Sequence, residues 1–591
     1  MFDLLIRNGT IVDGTGTPAF SGNIGIRNGV IQAIGMAIGD DAIETVDATG
    51  LTITPGFIDI HTHYDGQASW DSNLAPSCYH GVTSIVFGNC GVGFAPAHPD
   101  KHDWLINLLE GVEDIPGTAL AEGLTWDWET FPEYLDALDR RRFVLDVGAQ
   151  VPHAPLRTYV MGERGADSQS RPTATEIDTM ARLTAEAIEA GALGFSTSRT
   201  VVHKTRSGES IGTLRAPEEE LVAIATAIGK TGKGVIQLIS DAYLTADDAF
   251  AEEELVLVRK LALASERPIS VTVQQTANAP DRWRMIFDRI EAMRAEGLAI
   301  SAQCAVRGVG GIMGFLTSTN PFMATPTWQA IAGLPRAEKS ARLRDPAIRA
   351  QILEEHKRPV DGPFGEQAAR DFHRMFRMTD PVDYEPAANA SLRAEAARAG
   401  ADPAAHAYDV LLEEDCGRLI YFPAINYISG DLSAVHAMLS VDYALFGLSD
   451  GGAHCGSICD ASFPTSAIAM WPRGSKSGRA FTFEEMVHGY TQRSARHVGW
   501  LDRGVVATGY LADLNLIARD ELGLPPPEIV HDLPAGGMRL VQNARGYRAT
   551  IKNGVVTVRN GQLTGVLPAS LIRGSQPRPH VSKDRVFADA K

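Results

Sequence analysis

Cysteine is scarce in this sequence of 591 residues, which contains six. They are widely separated along the chain, at Cys78, Cys90, Cys304, Cys416, Cys455 and Cys459. Disulfide frameworks are typical of small secreted domains dense in cysteine, so this distribution predicts reduced thiols and a cytoplasmic setting. Residues 1–9 indicate a strand and a turn. A signal peptide is not expected there, because it needs a basic start and a long apolar stretch.

Long apolar runs and excess positive charge are also missing. No run reaches the roughly 18–20 apolar residues of a membrane helix. Lysine and arginine total 54 against 72 aspartate and glutamate, a net charge of -18. Nucleic acids and anionic membranes attract basic surfaces, so neither is expected as a partner. The length and the hydrophobic content of 44% suit a globular protein with one large domain and one smaller domain. The oligomeric state stays open, a homo-oligomer included.

Apolar, strand-like runs alternate with helical patterns through the middle of the chain. Eight such runs occur, at residues 57–60, 83–87, 144–147, 191–196, 234–239, 268–273, 298–303 and 444–448. Helical patterns such as residues 175–190 and 217–231 lie between them. This alternation predicts an α/β fold with a parallel sheet, and eight strands favour a TIM-like (β/α)8 barrel over residues 56–499. Residues 325–408, rich in Arg, Glu and Ala, break the rhythm and indicate an inserted helical subdomain.

Short strands and turns occupy both ends of the chain. At the start they fall at residues 4–7, 10–12, 22–26, 30–34 and 44–47, with the hairpin dipeptides Asn8-Gly9 and Asn28-Gly29. Near the end they fall at residues 510–517, 539–541, 547–552 and 555–559, with Asn553-Gly554. Neither end suffices for a stable sheet, so residues 1–55 and 500–570 are predicted to form one small β-sandwich. Residues 571–591 indicate a tail that packs on a surface or stays mobile.

The first strand-like run ends in a pair of histidines. Residues 57–63 read FIDIHTH and follow the turn Thr54-Pro55-Gly56. Residues i and i+2 of a strand point to the same face, so His61 and His63 can bind one metal ion from one side. Two histidines can also occupy a strand end without a metal. Candidate ligands at the ends of the other strands would favour the metal site over this alternative.

Two further candidate ligands follow the second and eighth runs. Active sites of (β/α)8 barrels lie at the carboxyl ends of the strands. Cys90 stands there between glycines, where a thiolate can bind metal; the alternative is a small buried apolar side chain. Asp450 stands before Gly451 and Gly452. An aspartate opposite the histidines can contact the metal and take a proton from water; the alternative is a turn residue.

Three motifs carry a resemblance to a known family. Residues 61–65 read HTHYD, residues 80–83 read HGVT, and residues 88–96 read GNCGVGFAP. They closely resemble the D-aminoacylases, the N-acyl-D-amino-acid deacylases of the amidohydrolase superfamily. The resemblance continues through residues 152–157, 160–162, 194–198, 449–451 and 509–514, and covers most of the chain except the insertion and the tail. It implies a metal bound by His61, His63, Cys90 and Asp450, with Cys90 able to bridge two ions, and Asp450 as the acid/base. It also implies a β-sandwich made from both termini.

The sequence departs from this family at two metal ligands. D-aminoacylases place two further histidines at the ends of strands five and six, which complete their tighter zinc site. This chain has no histidine between His203 and His356. Strand five contains Gln237, and strand six is followed by Gln274 and Gln275. Glutamine is a weak ligand beside histidine, so we expect one zinc ion per chain, with room for water.

Cationic side chains after three of the strands are candidates for binding a substrate carboxylate. They are His153 and Arg157 after strand three, Arg199, His203, Lys204 and Arg206 after strand four, and Arg307 after strand seven. For the strand-four group the alternative is a solvated loop, and for His153 and Arg157 the resemblance implies a place near the pocket. The glycines near Arg307 do not have the G-x-G-x-x-G spacing of a dinucleotide site. A second metal cluster at His454, Cys455 and Cys459 matches no common zinc motif.

The sequence thus predicts a metal-dependent amidohydrolase that cleaves a linear amide, with an N-acyl-D-amino acid as the favoured substrate. Zinc would polarise the acyl carbonyl, and Asp450 would pass the proton of water to the leaving amine. One alternative is a hydrolase or lyase acting on another C–N or C–O bond with the same mononuclear site. Another is a non-catalytic relative that binds a ligand or a partner.

Overall fold

The structure is a computed structural model that describes residues 1–39, 41–360 and 365–579. The strands of these described ranges are β1 (Phe2–Ile11), β2 (Phe20–Arg27), β3 (Val30–Gly35), β4 (Ala42–Asp47), β5 (Thr52–Pro55), β6 (Phe57–Asp59), β7 (Val82–Phe87), β8 (Asp146–Pro152), β9 (Gly194–Arg199), β10 (Val235–Ser240), β11 (Ile269–Thr272), β12 (Ile300–Cys304), β13 (Val309–Met313), β14 (Phe376–Arg377), β15 (Ile420–Ile425), β16 (Ala444–Phe446), β17 (Leu514–Ile517), β18 (Glu528–Leu533), β19 (Gly537–Val541), β20 (Tyr547–Lys552), β21 (Val555–Arg559) and β22 (Gln562–Leu563).

Helices lie between the strands of the middle region and within the insertion. The α-helices of the described ranges are α1 (His102–Glu113), α2 (Gly117–Gly123), α3 (Phe131–Asp139), α4 (His153–Met161), α5 (Glu163–Ala166), α6 (Ala174–Ala190), α7 (Glu218–Thr231), α8 (Asp248–Ser265), α9 (Arg282–Ala295), α10 (Pro326–Ile331), α11 (Arg336–Leu343), α12 (Pro346–Glu355), α13 (Gly365–Arg370), α14 (Leu392–Ala399), α15 (Pro403–Leu411), α16 (Glu413–Cys416), α17 (Ser433–Leu439), α18 (Phe463–Met470), α19 (Phe483–His488) and α20 (Ser494–Val498). None of the described helices combines the length and apolar character needed to cross a membrane.

Eight parallel strands form the predicted barrel. Their order is β6-β7-β8-β9-β10-β11-β12-β16, and they are called barrel strands one to eight below. Strands one and eight meet through a parallel bridge between Thr62 and Gly451. The Asp450 N–H donates to the His61 carbonyl at 3.2 Å, and the His63 N–H donates to the Gly451 carbonyl at 2.8 Å. The predicted (β/α)8 fold is therefore confirmed, and the barrel closes at the predicted metal ligands.

Local sequence signals explain why the barrel helices begin and end where they do. Helix α6 begins after Thr173, whose side chain accepts from the Glu176 N–H while Glu176 accepts in return from the Thr173 backbone. This capping box satisfies donors that the first turn leaves unpaired. The helix ends at Gly191, which has φ 116°, a conformation that glycine adopts at little cost. Such boundaries return the chain to the next buried strand.

One nine-stranded sheet combines strands from both ends of the chain. Its order is β22-β21-β20-β17-β5-β1-β2-β3, and β4 pairs with β1. The seam between the two ends is the antiparallel pair β5–β17, in which Pro55 faces Leu514. Apolar side chains from both ends, including Ile6, Ile53 and Leu516, form a core of their own. The two ends of the chain therefore share one hydrophobic core.

The predicted hairpin at Asn8-Gly9 is wrong, because β1 runs straight through it. Asn8 has φ 61°, and the pairing register shifts between Ile6 and Gly9. The side-chain oxygen of Asn23 accepts the Asn8 N–H at 2.8 Å. The dipeptide therefore forms a bulge within a strand instead of a turn between two strands. The other two dipeptides do form hairpins, linking β2 to β3 and β20 to β21.

Two further strand predictions need correction. Residues 539–541 lie within β19, which pairs with β18 in a separate ribbon and not with the terminal sheet. The Leu540 N–H donates to the Cys455 carbonyl at 2.7 Å, which holds this ribbon against the loop after barrel strand eight. The strand predicted at residues 510–517 begins only at Leu514. Leu511 forms an isolated bridge with Val30 instead.

The helical insertion is larger than predicted and carries its own small sheet. Helices α10 to α16 lie between β13 and β15, and the antiparallel sheet β13-β15-β14 joins its two ends. The insertion therefore begins near Val309, ahead of the predicted residue 325. Gly310 and Gly311 lie within β13, and glycine is depleted in strands, so the sequence did not indicate a strand there.

In the predicted tail, Leu571 and Gln576 form bridges with Val147 and Trp500, whereas residues 580–591 lie outside the described residues.

Candidate metal centre

Three of the predicted ligands converge at the carboxyl end of the barrel. The ligand atoms of His61, His63 and Cys90 all lie within 4.8 Å of one another, and all three residues are buried. Cys90 Sγ is 3.3 Å from His61 Nε2. Within the described ranges, this is the one group of three or more His, Cys, Asp or Glu residues with that geometry. The histidines follow barrel strand one and Cys90 follows strand two, as the sequence predicts.

Asp450 contacts both histidines from barrel strand eight. Its Oδ1 atom lies 3.4 Å from His61 Nε2 and 3.6 Å from His63 Nε2. The Asp450 side chain is 22% exposed, whereas those of the two histidines are 1% exposed. Solvent therefore reaches the metal-ligand cluster (His61, His63, Cys90 and Asp450) from the side of Asp450.

The backbone of two of these residues is strained. Cys90 has φ 54° and Asp450 has φ 48°, which are uncommon values for residues with a β-carbon. Such conformations cost on the order of 1–3 kcal/mol and cluster at functional sites. The Cys90 N–H is held by the Gln237 side-chain oxygen at 2.9 Å, and the next N–H by Ser196 Oγ at 2.8 Å. The surrounding strands thus fix the thiol in position.

Residues outside the cluster orient the histidines. Gln303 Oε1 lies 2.6 Å from His61 Nδ1. An amide oxygen can only accept, so Nδ1 carries the hydrogen and the Nε2 lone pair faces Cys90 and Asp450. Asp59 Oδ1 accepts the His61 N–H at 3.2 Å, and Ser449 Oγ donates to Asp59 Oδ2.

Sequence reasoning missed Asp59, Gln303 and one further residue, Glu113. Glu113 Oε1 lies 3.3 Å from His63 Nδ1, and the Glu113 side chain is 2% exposed. Asp59 could have been noticed, since it is the one acid in an apolar run. Glu113 gave no such signal, because other acids surround it in α1 and the following turn.

Burial and neighbouring charges set the protonation of the cluster. Burial lowers the pKa of His61 to about 4 and raises the pKa of the Cys90 thiol to about 12. Burial also opposes the charge of Asp450, but the nearby rings of His63 and His61 outweigh it, so the pKa of Asp450 lies below its ordinary value. A neutral imidazole and a carboxylate suit metal binding, and a bound cation deprotonates a coordinating thiol.

The donor set fits a divalent metal of the zinc type. Two imidazole nitrogens, one sulfur and one carboxylate oxygen are common zinc ligands. They come from three different strand ends and meet in one cluster, in which Asp450 is partly exposed and the other three residues are buried. The exposed side of Asp450 leaves an approach for water or substrate.

His153 and Arg157 bond to a residue outside this cluster, and their role as substrate contacts stays a prediction. Both bind the buried carboxylate of Glu220, at 2.8 Å each. Arg157 also donates to the carbonyls of Gly165, Gly212 and Ser170. Four of the five N–H donors of the Arg157 guanidinium are therefore used inside the protein.

Three other predicted cations are likewise paired with carboxylates. Arg199 forms a bidentate pair with Glu254 at 2.7–3.1 Å. Arg206 is exposed and pairs with Glu110 at 2.8 Å. Arg307 is fully buried, 2.8 Å from Asp460. These partners come from distant segments that sequence spacing cannot reveal, and the role of the three arginines in binding a substrate carboxylate stays a prediction.

Of the predicted substrate contacts, His203 lies beside the cluster, and Lys204 follows it on the same loop. Ser198 Oγ is 2.8 Å from His203 Nδ1. Burial, and then the charges of His63 and His454, lower the pKa of His203 to about 3, so its ring is within electrostatic reach of the cluster. Lys204 is exposed and forms no ion pair with the residues that the structure describes.

The loop that carries His203 and Lys204 lies directly on helix α1. A β-carbon at Gly111 would be 2.2 Å from the backbone nitrogen of Arg206. The close approach of this loop therefore depends on glycine at that position. Because α1 ends at Glu113, beside His63, the loop and the cluster share one side of the barrel mouth.

No second ligand set forms at strands five and six within the described ranges. Gln237 accepts from Cys90, while Gln274 and Gln275 bond to Asn426. The thiols after strand eight also separate, since Cys455 donates to the Gly452 carbonyl and Cys459 to the Leu540 carbonyl. All six cysteines of the chain are free and buried.

Comparisons with known proteins agree with the fold and the motifs. A family model described as the amidohydrolase family matches residues 44–558. A D-aminoacylase of Alcaligenes xylosoxydans xylosoxydans is 38% identical over 197 residues, 33% of this chain and 37% of that protein. An N-acyl-D-glutamate deacylase of the same organism is 38% identical over 199 residues, 33% of this chain and 37% of that protein. The alignments therefore span little more than a third of these curated relatives.

A solved structure resembles the whole chain. The N-acyl-D-glutamate deacylase of Bordetella bronchiseptica has a TM-score of 0.62 at 22% identity, over 97% of this chain and 99% of that chain. At this identity the likeness supports the barrel fold. Together with the sequence matches, it confirms the predicted resemblance to D-aminoacylases.

Proposed function

This chain belongs to the amidohydrolase family, and from that premise we propose that it is a zinc-dependent hydrolase of N-acyl-D-amino acids. The observation that carries the proposal is the convergence of His61, His63, Cys90 and Asp450 at the carboxyl end of the barrel. The relatives named D-aminoacylase and N-acyl-D-glutamate deacylase support the substrate class, because they are 38% identical to this chain over about a third of its length.

Asp450 is the proposed acid/base. When bound, zinc supplies polarisation of the acyl carbonyl and a lower pKa for water. The pKa of Asp450 lies below its ordinary value, so this residue is ionised at neutral pH and can accept the proton of the attacking water. It then passes the proton to the nitrogen of the leaving amine, which breaks the amide bond. Its exposed side gives water and substrate access to the carboxylate.

His203 and Lys204 are the proposed contacts for the substrate carboxylate. They sit on one loop beside the cluster, and Lys204 has no ion pair with the described residues. An ammonium group without a carboxylate partner can attract and hold an anionic substrate. Holding the carboxylate at this point fixes the amide relative to Asp450 before the reaction.

A single metal ion is part of the proposal. A solved D-aminoacylase is described as having a binuclear centre, with one-metal activation and second-metal attenuation. In this chain Gln237 lies beside Cys90 and is occupied as a hydrogen-bond acceptor. Glutamine binds zinc weakly, which supports one ion per chain.

A reduced cytoplasmic setting also belongs to the proposal, supported by six free cysteines.

A substrate panel tests this function. Metal-free protein would be reconstituted with zinc and offered N-acetyl-D-amino acids, their L enantiomers, their carboxamides and a cyclic amide. We expect zinc-dependent release of free amine from the D acids, with weaker activity on the carboxamides. Turnover of the cyclic amide alone would favour chemistry on another C–N bond. Bound zinc without turnover of any substrate would favour the non-catalytic alternative.

A further inference from the structure

Glu113 is a buried carboxylate that the proposed reaction does not use. It ends helix α1, where the helix dipole disfavours negative charge. Burying a carboxylate is costly unless charged or polar partners compensate. In the part of the chain that the structure describes, the ion-pair partners of Glu113 are two histidines and no lysine or arginine. Burying the Glu113 carboxylate at this helix end therefore lowers the stability of the fold, which points to a functional role for Glu113.

The two ring nitrogens of His63 face different carboxylates. Nε2 lies 3.6 Å from Asp450 Oδ1, on the side of the cluster. Nδ1 lies 3.3 Å from Glu113 Oε1 and is buried without a hydrogen bond among the described residues. A buried N–H without an acceptor is destabilising, and the Glu113 carboxylate is an acceptor within reach.

His454 holds the other side of the same carboxylate. Glu113 Oε2 lies 3.7 Å from His454 Nε2, and the Glu113 carbonyl accepts the His454 N–H. His454 follows Asp450 in the loop after barrel strand eight. The Glu113 side chain is therefore fixed between a ligand from strand one and a segment next to the ligand from strand eight.

We propose that Glu113 is a positioning residue for metal binding, which accepts from His63 Nδ1 and directs the Nε2 lone pair of that ring toward the metal. This inference rests on the proposed metal site. Gln303 plays the matching part for His61, at 2.6 Å. The two rings thus have different supports, an amide for His61 and a carboxylate for His63. A carboxylate makes an imidazole a stronger donor than an amide does, so His63 is the more tightly held ligand.

Two variants at Glu113 and one control test the proposal. Glu113→Gln keeps an acceptor oxygen, and Glu113→Leu removes it. Glu254→Gln is the control, because Glu254 is also a buried glutamate but pairs with Arg199. The zinc dissociation constant would be measured by competition with a chromophoric chelator. The visible spectrum of cobalt-substituted protein reports the ligand geometry, and circular dichroism of the metal-free proteins reports folding.

The expected result is zinc binding roughly 10- to 100-fold weaker in Glu113→Leu, a smaller loss in Glu113→Gln, and an altered cobalt spectrum in Glu113→Leu. Glu254→Gln should match the wild type in both measurements. Wild-type affinity and spectrum in both Glu113 variants would overturn the proposal. If Glu113→Leu fails to fold, Glu113→Gln decides, since an unchanged affinity and spectrum there would also overturn it. A wild-type protein that binds no zinc would instead contradict the metal site itself.

Discussion

Asp450 and His61 are joined both through the backbone and through their side chains. The Asp450 N–H donates to the His61 carbonyl at 3.2 Å, and Asp450 Oδ1 lies 3.4 Å from His61 Nε2. The first contact belongs to the bridge that closes the barrel, and the second belongs to the metal-ligand cluster. Barrel closure therefore sets the distance between the proposed base and a proposed ligand from the adjacent strand.

Replacing Asp450 by asparagine should separate metal binding from turnover. The asparagine side chain would keep an oxygen near both histidines but could not accept a proton from water. We expect turnover to fall by about 10²–10⁴-fold, the usual contribution of a general base. Elemental analysis should show that most of the zinc stays bound. Near-normal turnover in Asp450→Asn would exclude this residue as the base.

Lys204→Ala should weaken the recognition of anionic substrates. A hydrogen bond to a charged group contributes about 1.5–3 kcal/mol, so kcat/KM for an N-acyl amino acid should fall roughly 10- to 150-fold. The carboxamide of the same substrate should be little affected. Arg206→Ala is the control, because Arg206 lies on the same loop but pairs with Glu110 at the surface. Equal losses on the acid and the carboxamide would rule out carboxylate binding by Lys204.

The buried His80 should make stability fall as the pH is lowered. His80 bonds to Thr465 and to the Gln542 carbonyl, and burial lowers its pKa to about 4 from the ordinary 6.5. Between these values the unfolded chain binds a proton that the folded protein does not, so the free energy of unfolding decreases. The linkage predicts a loss of about 2 kcal/mol between pH 7 and pH 4.5.

Denaturant unfolding of metal-free wild type and His80→Gln at both pH values measures this loss. A glutamine can donate to one partner and accept from the other without titrating. His80→Gln should therefore lose about 2 kcal/mol less than the wild type over this interval. An identical pH dependence in the two proteins would show that His80 is not responsible.

Deleting residues 1–50 should unfold or aggregate the protein. The deletion removes β1 to β4 and leaves β5 as an exposed edge, because β5 loses its partner β1. It also removes half of the core that includes Ile6 and Leu516. An uncovered, apolar strand edge pairs readily with other chains. Solubility and circular dichroism are the measurements, and a soluble, folded truncation that still binds zinc would contradict the shared sheet.

The convergence of the proposed metal ligands could be predicted from the sequence because each depends on local position. His61, His63, Cys90 and Asp450 all follow apolar runs, and the barrel brings strand ends together whatever the loops do. The eight barrel strands could be found for the same reason, since a buried strand is a continuous apolar run. Asn8-Gly9 misled because the same dipeptide suits a bulge and a hairpin, and only the pairing with β2 distinguishes them.

The partners of charged residues could not be predicted, because they depend on packing between distant segments. Arg199 was predicted to follow strand four and is its last residue, but its partner Glu254 lies 55 residues further along. Glu113 sits among other acids in α1 and resembles a solvated surface residue until the helix is docked beside His63. Long-range ion pairs thus determine which of the predicted cations have a carboxylate partner in the described structure. The spacing of residues in the sequence does not reveal these pairs.

Titration of zinc into the metal-free protein, with hydrolysis of an N-acyl-D-amino acid followed at each step, tests the central claim most directly. Activity should rise in proportion to zinc and stop rising at one ion per chain, because the described residues supply one ligand cluster. Elemental analysis of the fully active protein should give the same ratio. Activity that appears only with a second ion, or a chain that binds one zinc and hydrolyses no N-acyl-D-amino acid, would contradict the account.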